Sequence, residues 1–294
     1  MANISKRLHT NVEGNFFVDS TCIDCDTCRQ LAPATFIEDG DFSTVFRQPE
    51  TAQEEFVAYQ ALIACPVGSI GTEKKDSKIF LNAQASFPLH IEHGVYYAGF
   101  NSEKSFGANS YFIQHPEGNW LVDSPRFLTQ LVKFFETHGG IRYLFLSHED
   151  DVADAARYAR AFSATRIIHR ADVSAMPDAE RVIDGEETVQ VEPEFACIPV
   201  PGHTPGSMAL LYNNRFLFSG DHLWWDRDLQ QLGTPERLVW DDGQLERSVR
   251  KLLNHSFEWV LPGHGERVRL PHRDMNKAIS QLLQRRWNVQ HSPT

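Results

Sequence analysis

Beyond residue 88, short apolar runs alternate along the chain with longer stretches whose apolar residues recur at helical spacing. The strand-like runs are SYFIQH, NWLVDS, IRYLFLSH, ATRIIHR, EFACIPVPGH, MALLYNNRFLFSGD and FEWVLPGHGE. The helix-like stretches are FLTQLVKFFETH, VADAARYARAF and LERSVRKLLNH. This alternation predicts sheets covered by helices, and we expect an α+β protein.

The stretch GTEKKDSKIFLNAQASFP, residues 71–88, is where we expect the chain to divide. It is charged at first, then short of aliphatic residues, and Pro88 closes it. We therefore predict a small N-terminal domain over residues 1–80 and a larger domain over residues 81–294. The sequence shows no internal repeat.

The composition is that of a globular protein with a sizeable core, since 41% of its 294 residues are hydrophobic. The formal net charge of -11 argues against nucleic acid and against an anionic membrane surface as partners. The same charge is compatible with docking of a basic redox protein.

The first residues carry Lys6 and Arg7 without a following apolar run, and no stretch approaches the roughly 18 apolar residues of a spanning helix. We therefore expect a cytoplasmic protein whose thiols stay reduced. In that setting, clustered cysteines indicate metal or redox chemistry before disulfides.

Four of the five cysteines form a pattern with metal-ligand spacing. Cys22, Cys25 and Cys28 make a C-x2-C-x2-C run, and the remote Cys65 is followed by Pro66. This arrangement is typical of a 4Fe–4S cluster, because one tight loop reaches three corners of the cube and a distant segment reaches the fourth. A zinc site made by the same four cysteines is the alternative.

The segment from about Asn15 to Thr72 resembles the single-cluster bacterial-type ferredoxins. In two-cluster ferredoxins a further cysteine stands four residues after the third, and the residue at that position here is Ala32. The resemblance therefore implies a ferredoxin-like domain with one 4Fe–4S cluster. The fifth cysteine, Cys197, lies in an apolar run and is expected to be an inert buried thiol.

Among the thirteen histidines, three stand directly after predicted strands: His148, His203 in GHTPGS, and His264 in LPGHG. Asp221 likewise ends the strand RFLFSGD. Four potential ligands at strand ends predict a metal site at a sheet edge, because such an edge collects side chains that are distant in sequence.

These motifs, in this order, resemble the metallo-β-lactamase superfamily, which implies an αββα sandwich for the larger domain. The main motif of that superfamily, H-x-H-x-D-H, starts at His148 and then departs. Asp150 replaces the second histidine, while Val152 and Ala153 replace the aspartate and the final histidine. Because neither Val152 nor Ala153 can bind metal, a full two-metal site is not expected.

His148, His203 and Asp221 match three ligand positions of the superfamily, and its mononuclear iron members, the persulfide dioxygenases, use such a set. Two histidines and one carboxylate form the facial triad of non-haem Fe(II), so we expect one mononuclear metal, with iron favoured and zinc as the alternative. Asp150 is predicted either as a fourth ligand or as a helix cap. For Asp151 the cap is favoured.

Other residues near these motifs leave alternatives open. His264 is expected either to bind a second, weaker metal or to hydrogen-bond a metal-bound species. His222 is expected to turn away from the metal. Trp224 and Trp225 are predicted to wall a pocket or to belong to the core.

The presence of a cluster motif and a mononuclear metal site in one chain favours an oxidoreductase. In it, the cluster exchanges electrons with the metal, and the metal binds a small-molecule substrate or a diatomic ligand. A hydrolase of thioesters, lactones or phosphoesters is the alternative, with a structural or regulatory cluster. A catalytically degenerate sensor or scaffold is the second alternative. The sequence names no catalytic residue, and the stretch 100–108 is a candidate lid.

Overall fold

The computed structural model describes residues 2–288. The chain forms two compact units, Met1–Gly140 and Ile141–Thr294. The predicted mixture of helix and sheet is confirmed. The predicted division after residue 80 stays a prediction, and its outer limits, Met1 and residues 289–294, lie outside the described part of the chain.

The N-terminal part of the first unit consists of short elements around the cysteine motif. Strands β1 and β4 pair antiparallel, and β2 and β3 form an antiparallel hairpin. Two helices accompany them, and the longer one opens with a capping box between Thr51 and Glu54 that satisfies its first free amides. The elements are β1 (Phe16–Val18), α1 (Thr27–Leu31), β2 (Phe36–Asp39), β3 (Phe42–Val45), α2 (Ala52–Ala64) and β4 (Ile70–Thr72).

The rest of the first unit contains a helix that the sequence interpretation missed. Helix α3 (Ser77–Ala85) lies inside the stretch read only as a boundary, and Asp76 caps it by accepting from two backbone amides. After it, four strands form an antiparallel meander that a helix follows. These elements are β5 (Leu89–Glu92), β6 (Val95–Tyr97), β7 (Tyr111–Ile113), β8 (Trp120–Val122) and α4 (Thr129–Thr137).

The second unit begins with three parallel strands, β9 (Tyr143–Phe145), β10 (Thr165–His169) and β11 (Arg181–Ile183). Helix α5 (Ala155–Phe162) connects the first two. Strand β9 is buried throughout, as expected of a central parallel strand.

A six-stranded mixed sheet in the order β12-β13-β14-β15-β18-β19 forms the other part of the second unit. Its apolar side chains pack with those of two helices into a buried core that includes Ile198, Leu217, Val249 and Ile279. The elements are β12 (Val189–Glu192), β13 (Phe195–Pro199), β14 (Met208–Tyr212), β15 (Phe216–Gly220), hairpin β16 (Trp224–Asp226) and β17 (Gln231–Gly233), α6 (Asp242–Lys251), β18 (Trp259–Pro262), β19 (Val268–Arg269) and α7 (His272–Leu283).

Among residues 2–288, no helix has both the length and the apolar character needed to cross a membrane. The cytoplasmic location stays a prediction.

Candidate metal centres

The four cysteines of the predicted cluster motif line one small pocket in the first unit. Cys28 lies in helix α1, and Cys65 directly follows the last residue of α2, so two helices fix two of the sulfurs. Cys28 and Cys65 are buried, while Cys22 and Cys25 are partly exposed. This pocket is called the cysteine pocket below.

The loop between the cysteines is wound tightly by two aspartates. Asp24 and Asp26 adopt the left-handed region, with φ of 55° and 66°, which aspartate tolerates better than bulkier residues. Arg29 holds both, at 2.6 Å from Asp24 Oδ1 and 2.7 Å from Asp26 Oδ1. Local ion pairing therefore supports the loop conformation that turns the cysteines toward one point.

The cysteine pocket fits a cluster in its chemistry. Burial raises the pKa of the Cys25 thiol to about 12 and raises that of Cys28 as well, so thiolates there need a compensating positive charge such as iron. The Ser43 amide donates to Cys22 Sγ at 3.4 Å, the kind of contact that tunes cluster potentials. The walls consist of Val18, Ile23, Thr27, Ser43, Val67, Ser69 and Ile70.

The stretch 100–108, interpreted above as a candidate lid, packs against the cysteine loop. Asn101 is fully buried and donates to Thr27 Oγ1 at 3.0 Å and to the Gly107 carbonyl at 2.6 Å. A Cβ on Gly107 would lie 2.7 Å from Cys25 Cβ, so only glycine fits there. Gly107 also has φ of 88°, which glycine adopts readily. Part of this stretch therefore holds the cysteine loop.

The second unit brings three predicted metal ligands together at strand ends. His148 comes shortly after β9, His203 after β13, and Asp221 directly after β15. Their ligand atoms lie within 4.8 Å of one another. The parallel pairing of β15 with β18 carries His264 to the same edge. We call His148, His203 and Asp221 the histidine centre.

The spacing of donor atoms in the histidine centre suits a single metal ion. His148 Nε2 and His203 Nε2 lie 3.8 and 3.7 Å from Asp221 Oδ2, and 3.7 and 3.5 Å from Asp150 Oδ2. A tetrahedral ion with bonds of roughly 2.0–2.2 Å separates its ligands by roughly 3.3–3.6 Å. Both Nε2 atoms are buried and have no hydrogen-bond partner within residues 2–288. The residues present therefore fit a bound metal.

Neighbouring groups orient the two histidines. His203 Nδ1 donates to the Leu238 carbonyl at 2.7 Å, which leaves the lone pair on Nε2. His148 Nδ1 lies 2.9 Å from Ser147 Oγ. Burial lowers the pKa of His148, so its ring is neutral at pH 7 and free to ligate. Burial would also lower the pKa of His203, but the nearby Asp150 and Asp221 raise it overall.

Asp221 sits between the histidine centre and His264. His264 Nδ1 lies 2.9 Å from both carboxylate oxygens of Asp221. Burial alone would raise the pKa of Asp221, but the charge and hydrogen bond of His264 hold it below its usual range. Asp221 is therefore ionised at neutral pH and available as a ligand.

Neither Asp150 nor Asp151 caps helix α5, so the cap interpretation of Asp151 is wrong. Residues Glu149–Asp151 form a short 3-10 turn, and α5 begins only at Ala155 after Asp154. The Asp150 side chain is 64% exposed and faces the histidine centre. The Asp151 side chain is fully buried and points beneath His148 instead. The role of Asp150 as a ligand stays a prediction.

The two tryptophans, His222 and Cys197 lie in different surroundings. Trp224 packs on Gly265, next to His264, whereas Trp225 packs on the apolar core. His222 is buried, and burial lowers its pKa to about 3, so its ring is neutral. Cys197 is fully buried, with a pKa that burial raises to about 12, as expected of an unreactive thiol.

Sequence reasoning missed Asp151 and Asn101. The signal for Asp151 was its position beside another acid after a strand, and it was read as a cap. No local signal marks Asn101, because its partner Thr27 lies 74 residues earlier in the chain.

Comparison with known proteins yields a family match for residues 18–72 and a fold for the larger part of the chain. Residues 18–72 match the family described as the 4Fe-4S single cluster domain of Ferredoxin I. The structure is similar to that of DIM-1 metallo-β-lactamase, with 18% identity over 67% of this chain and 95% of that chain and a TM-score of 0.51. It is also similar to a metallo-β-lactamase from Hirschia baltica, with 16% identity over 66% of this chain and 96% of that chain and a TM-score of 0.50. Among curated proteins, no sequence matches the chain.

At these identities the structural likeness establishes the fold. The chain therefore combines a region at residues 18–72 that matches the single-cluster 4Fe–4S domain family with a metallo-β-lactamase fold.

Proposed function

We propose that the protein is a redox metalloprotein in which a 4Fe–4S cluster in the cysteine pocket exchanges electrons with a single iron ion at the histidine centre. The observation that carries this proposal is the donor set at that centre. Two imidazole nitrogens and one carboxylate converge, as in the facial triads of non-haem Fe(II). A pocket of four cysteines in the same chain supplies the other half of a redox pair.

The orientation of His203 and the neutral state of His148 already suit metal binding. The Leu238 carbonyl selects the His203 tautomer that presents Nε2, and burial keeps His148 neutral. The exposed Asp150 leaves one side of the centre open to solvent and to a small molecule. When bound, the cluster would pass single electrons and the iron would offer open positions to a diatomic ligand or a small sulfur compound.

A metal-dependent hydrolase is the second candidate, supported by the fold shared with the metallo-β-lactamases. Zinc at the histidine centre would then activate a water molecule, and the cluster would be structural or regulatory. Val152 and Ala153 favour the redox function over this alternative, because they remove two ligands that the usual hydrolytic designs employ. A catalytically inactive sensor or scaffold is the third candidate.

The proposal extends to an external electron donor. The net charge of -11 suits a basic redox protein, which would be steered to the surface by electrostatic attraction. Association with such a donor should weaken as salt is added.

The redox function is tested by reoxidation of the chemically reduced full-length protein. Sub-stoichiometric dioxygen serves as the oxidant, and the visible absorbance of the cluster reports reoxidation. Asp221→Ala should reoxidise at least tenfold more slowly than wild type, because the centre loses its carboxylate ligand. Asp184→Ala, which removes a carboxylate 73% exposed and outside the centre, should react like wild type. Equal rates in wild type and Asp221→Ala would favour the hydrolase or the sensor.

A further inference from the structure

We propose that Asp151, Asp221 and His264 hold a second divalent cation beside the histidine centre. This inference rests on the metal-binding role proposed above, and it adds a ligand at a position where the superfamily motif has none. Val152 and Ala153, which occupy the motif positions, cannot bind metal. Asp151, one residue earlier, supplies the missing carboxylate.

The backbone explains how Asp151 reaches the site. Residues Glu149–Asp151 form a single 3-10 turn that starts after His148. Side chains three residues apart eclipse each other in such a turn, so Asp151 comes to lie under the ring of His148. The distance from Asp151 Oδ2 to His148 Nδ1 is 3.9 Å. The Asp151 carboxylate in this position faces the metal site, whereas the carboxylate of a helix cap would face the first amides of α5.

The two carboxylate oxygens of Asp221 point toward different metal positions, one at the histidine centre and one at the proposed second site. Oδ2 lies 3.8 and 3.7 Å from the Nε2 atoms of His148 and His203. Oδ1 lies over Gly263, where a Cβ would be 2.7 Å from it and 2.9 Å from Asp151 Oδ2. His264 Nδ1 lies 2.9 Å from both oxygens. Asp221 can therefore bridge two cations, because only Oδ2 approaches the histidine centre and only Oδ1 lies beside Asp151 over Gly263.

Gly263 provides the space for the second cation. Its φ lies outside the range that only glycine favours, so its backbone conformation does not explain the residue. The lack of a side chain instead keeps the carboxylates of Asp151 and Asp221 free of a methyl group. The ligand atoms of Asp151, Asp221 and His264 lie within 4.8 Å of one another, close enough to share one ion.

The donor set defines the class of ion. Two carboxylates and one imidazole suit a divalent ion that accepts oxygen and nitrogen ligands, such as Fe2+, Mn2+ or Zn2+. The fully buried carboxylate of Asp151 and the largely buried carboxylate of Asp221 also place negative charge in a low-dielectric region, and a cation there would offset the cost of burying it.

Mn2+ binding to the full-length protein tests the inference through electron paramagnetic resonance. The cluster is kept oxidised and silent, and other metal ions are first removed with a chelator. Wild type should bind two Mn2+ ions that are magnetically coupled through the shared carboxylate of Asp221. Asp151→Asn, which keeps the shape of the side chain, should bind one Mn2+ with the spectrum of an isolated ion.

Two further variants make the result decisive. Gly263→Ala should also lose the second Mn2+, because its methyl group would crowd both carboxylates. Asp154→Asn, an acid buried in the same segment but outside the ligand group, should keep both ions. A coupled pair that persists in Asp151→Asn would overturn the inference. One isolated Mn2+ ion in wild type would overturn the second cation site but would agree with metal binding at the histidine centre. No bound Mn2+ in wild type would overturn both the second site and metal binding at the histidine centre.

Discussion

The hydrogen bonds of Asn101 should control how fast the cluster is lost. The Asn101 amide accepts from Tyr97 Oη at 2.8 Å and donates to the Gly107 carbonyl and to Thr27 Oγ1. Its replacement by alanine removes three good hydrogen bonds from a fully buried site. At about 1 kcal/mol each, the loss amounts to about 3 kcal/mol. Since about 1.4 kcal/mol corresponds to a factor of ten, opening of the cysteine loop should become roughly a hundredfold more frequent.

The assay is bleaching of the visible absorbance by an iron chelator under anaerobic, native conditions. Asn119→Ala is the matched control, because Asn119 is also buried and bonds to the His115 amide and to the carbonyls of His138 and Gly140, at 2.8–2.9 Å. It should lower global stability to a similar extent with little effect on bleaching. Equal acceleration by Asn119→Ala and Asn101→Ala would refute the reasoning, because the cluster would then be lost through global unfolding.

Three further predictions concern single residues. Gly107→Ala should lose most labile sulfide after reconstitution, because its Cβ would overlap Cys25, and sulfide analysis measures this. His203→Ala should empty the histidine centre while cluster absorbance is retained, as metal analysis and the visible spectrum will report. The hydrogen bond from Arg166 lowers the pKa of Glu180 to about 2 from 4.5 in the unfolded chain, so its stabilisation, present above pH 4.5, should fade as the pH falls toward 2. Urea unfolding midpoints in that range should therefore depend less on pH in Glu180→Gln than in wild type.

The sequence was sufficient to predict features that depend on strand ends and on spacing. His148, His203 and Asp221 each follow a buried strand, and strands of one sheet bring such residues to a common edge whatever their separation in sequence. The cysteine pattern was equally informative, because ligand spacing in a tight loop is local. Residues 18–72 match a single-cluster domain, in agreement with that interpretation.

Features that depend on the direction of a side chain could not be read from the sequence. Asp151 was interpreted as a cap because acids favour helix starts, but the 3-10 turn delays α5 to Ala155 and turns Asp151 inward. Helix α3 was missed because its stretch has few aliphatic residues, although Asp76 was a usable cap signal. The contact of Asn101 with the cysteine loop joins distant segments, so only the folded chain reveals it.

The most direct test of the central claim is a metal and sulfide inventory of anaerobically purified protein, with wild type compared to Cys65→Ala. Wild type should contain about four labile sulfides, about four cluster irons and additional iron at the histidine centre. Cys65→Ala should lose the sulfide and the cluster iron but keep the additional iron, because His148, His203 and Asp221 form the histidine centre and a separate set of four cysteines forms the cysteine pocket. Zinc in place of the additional iron, or iron that disappears completely along with the sulfide, would contradict the account.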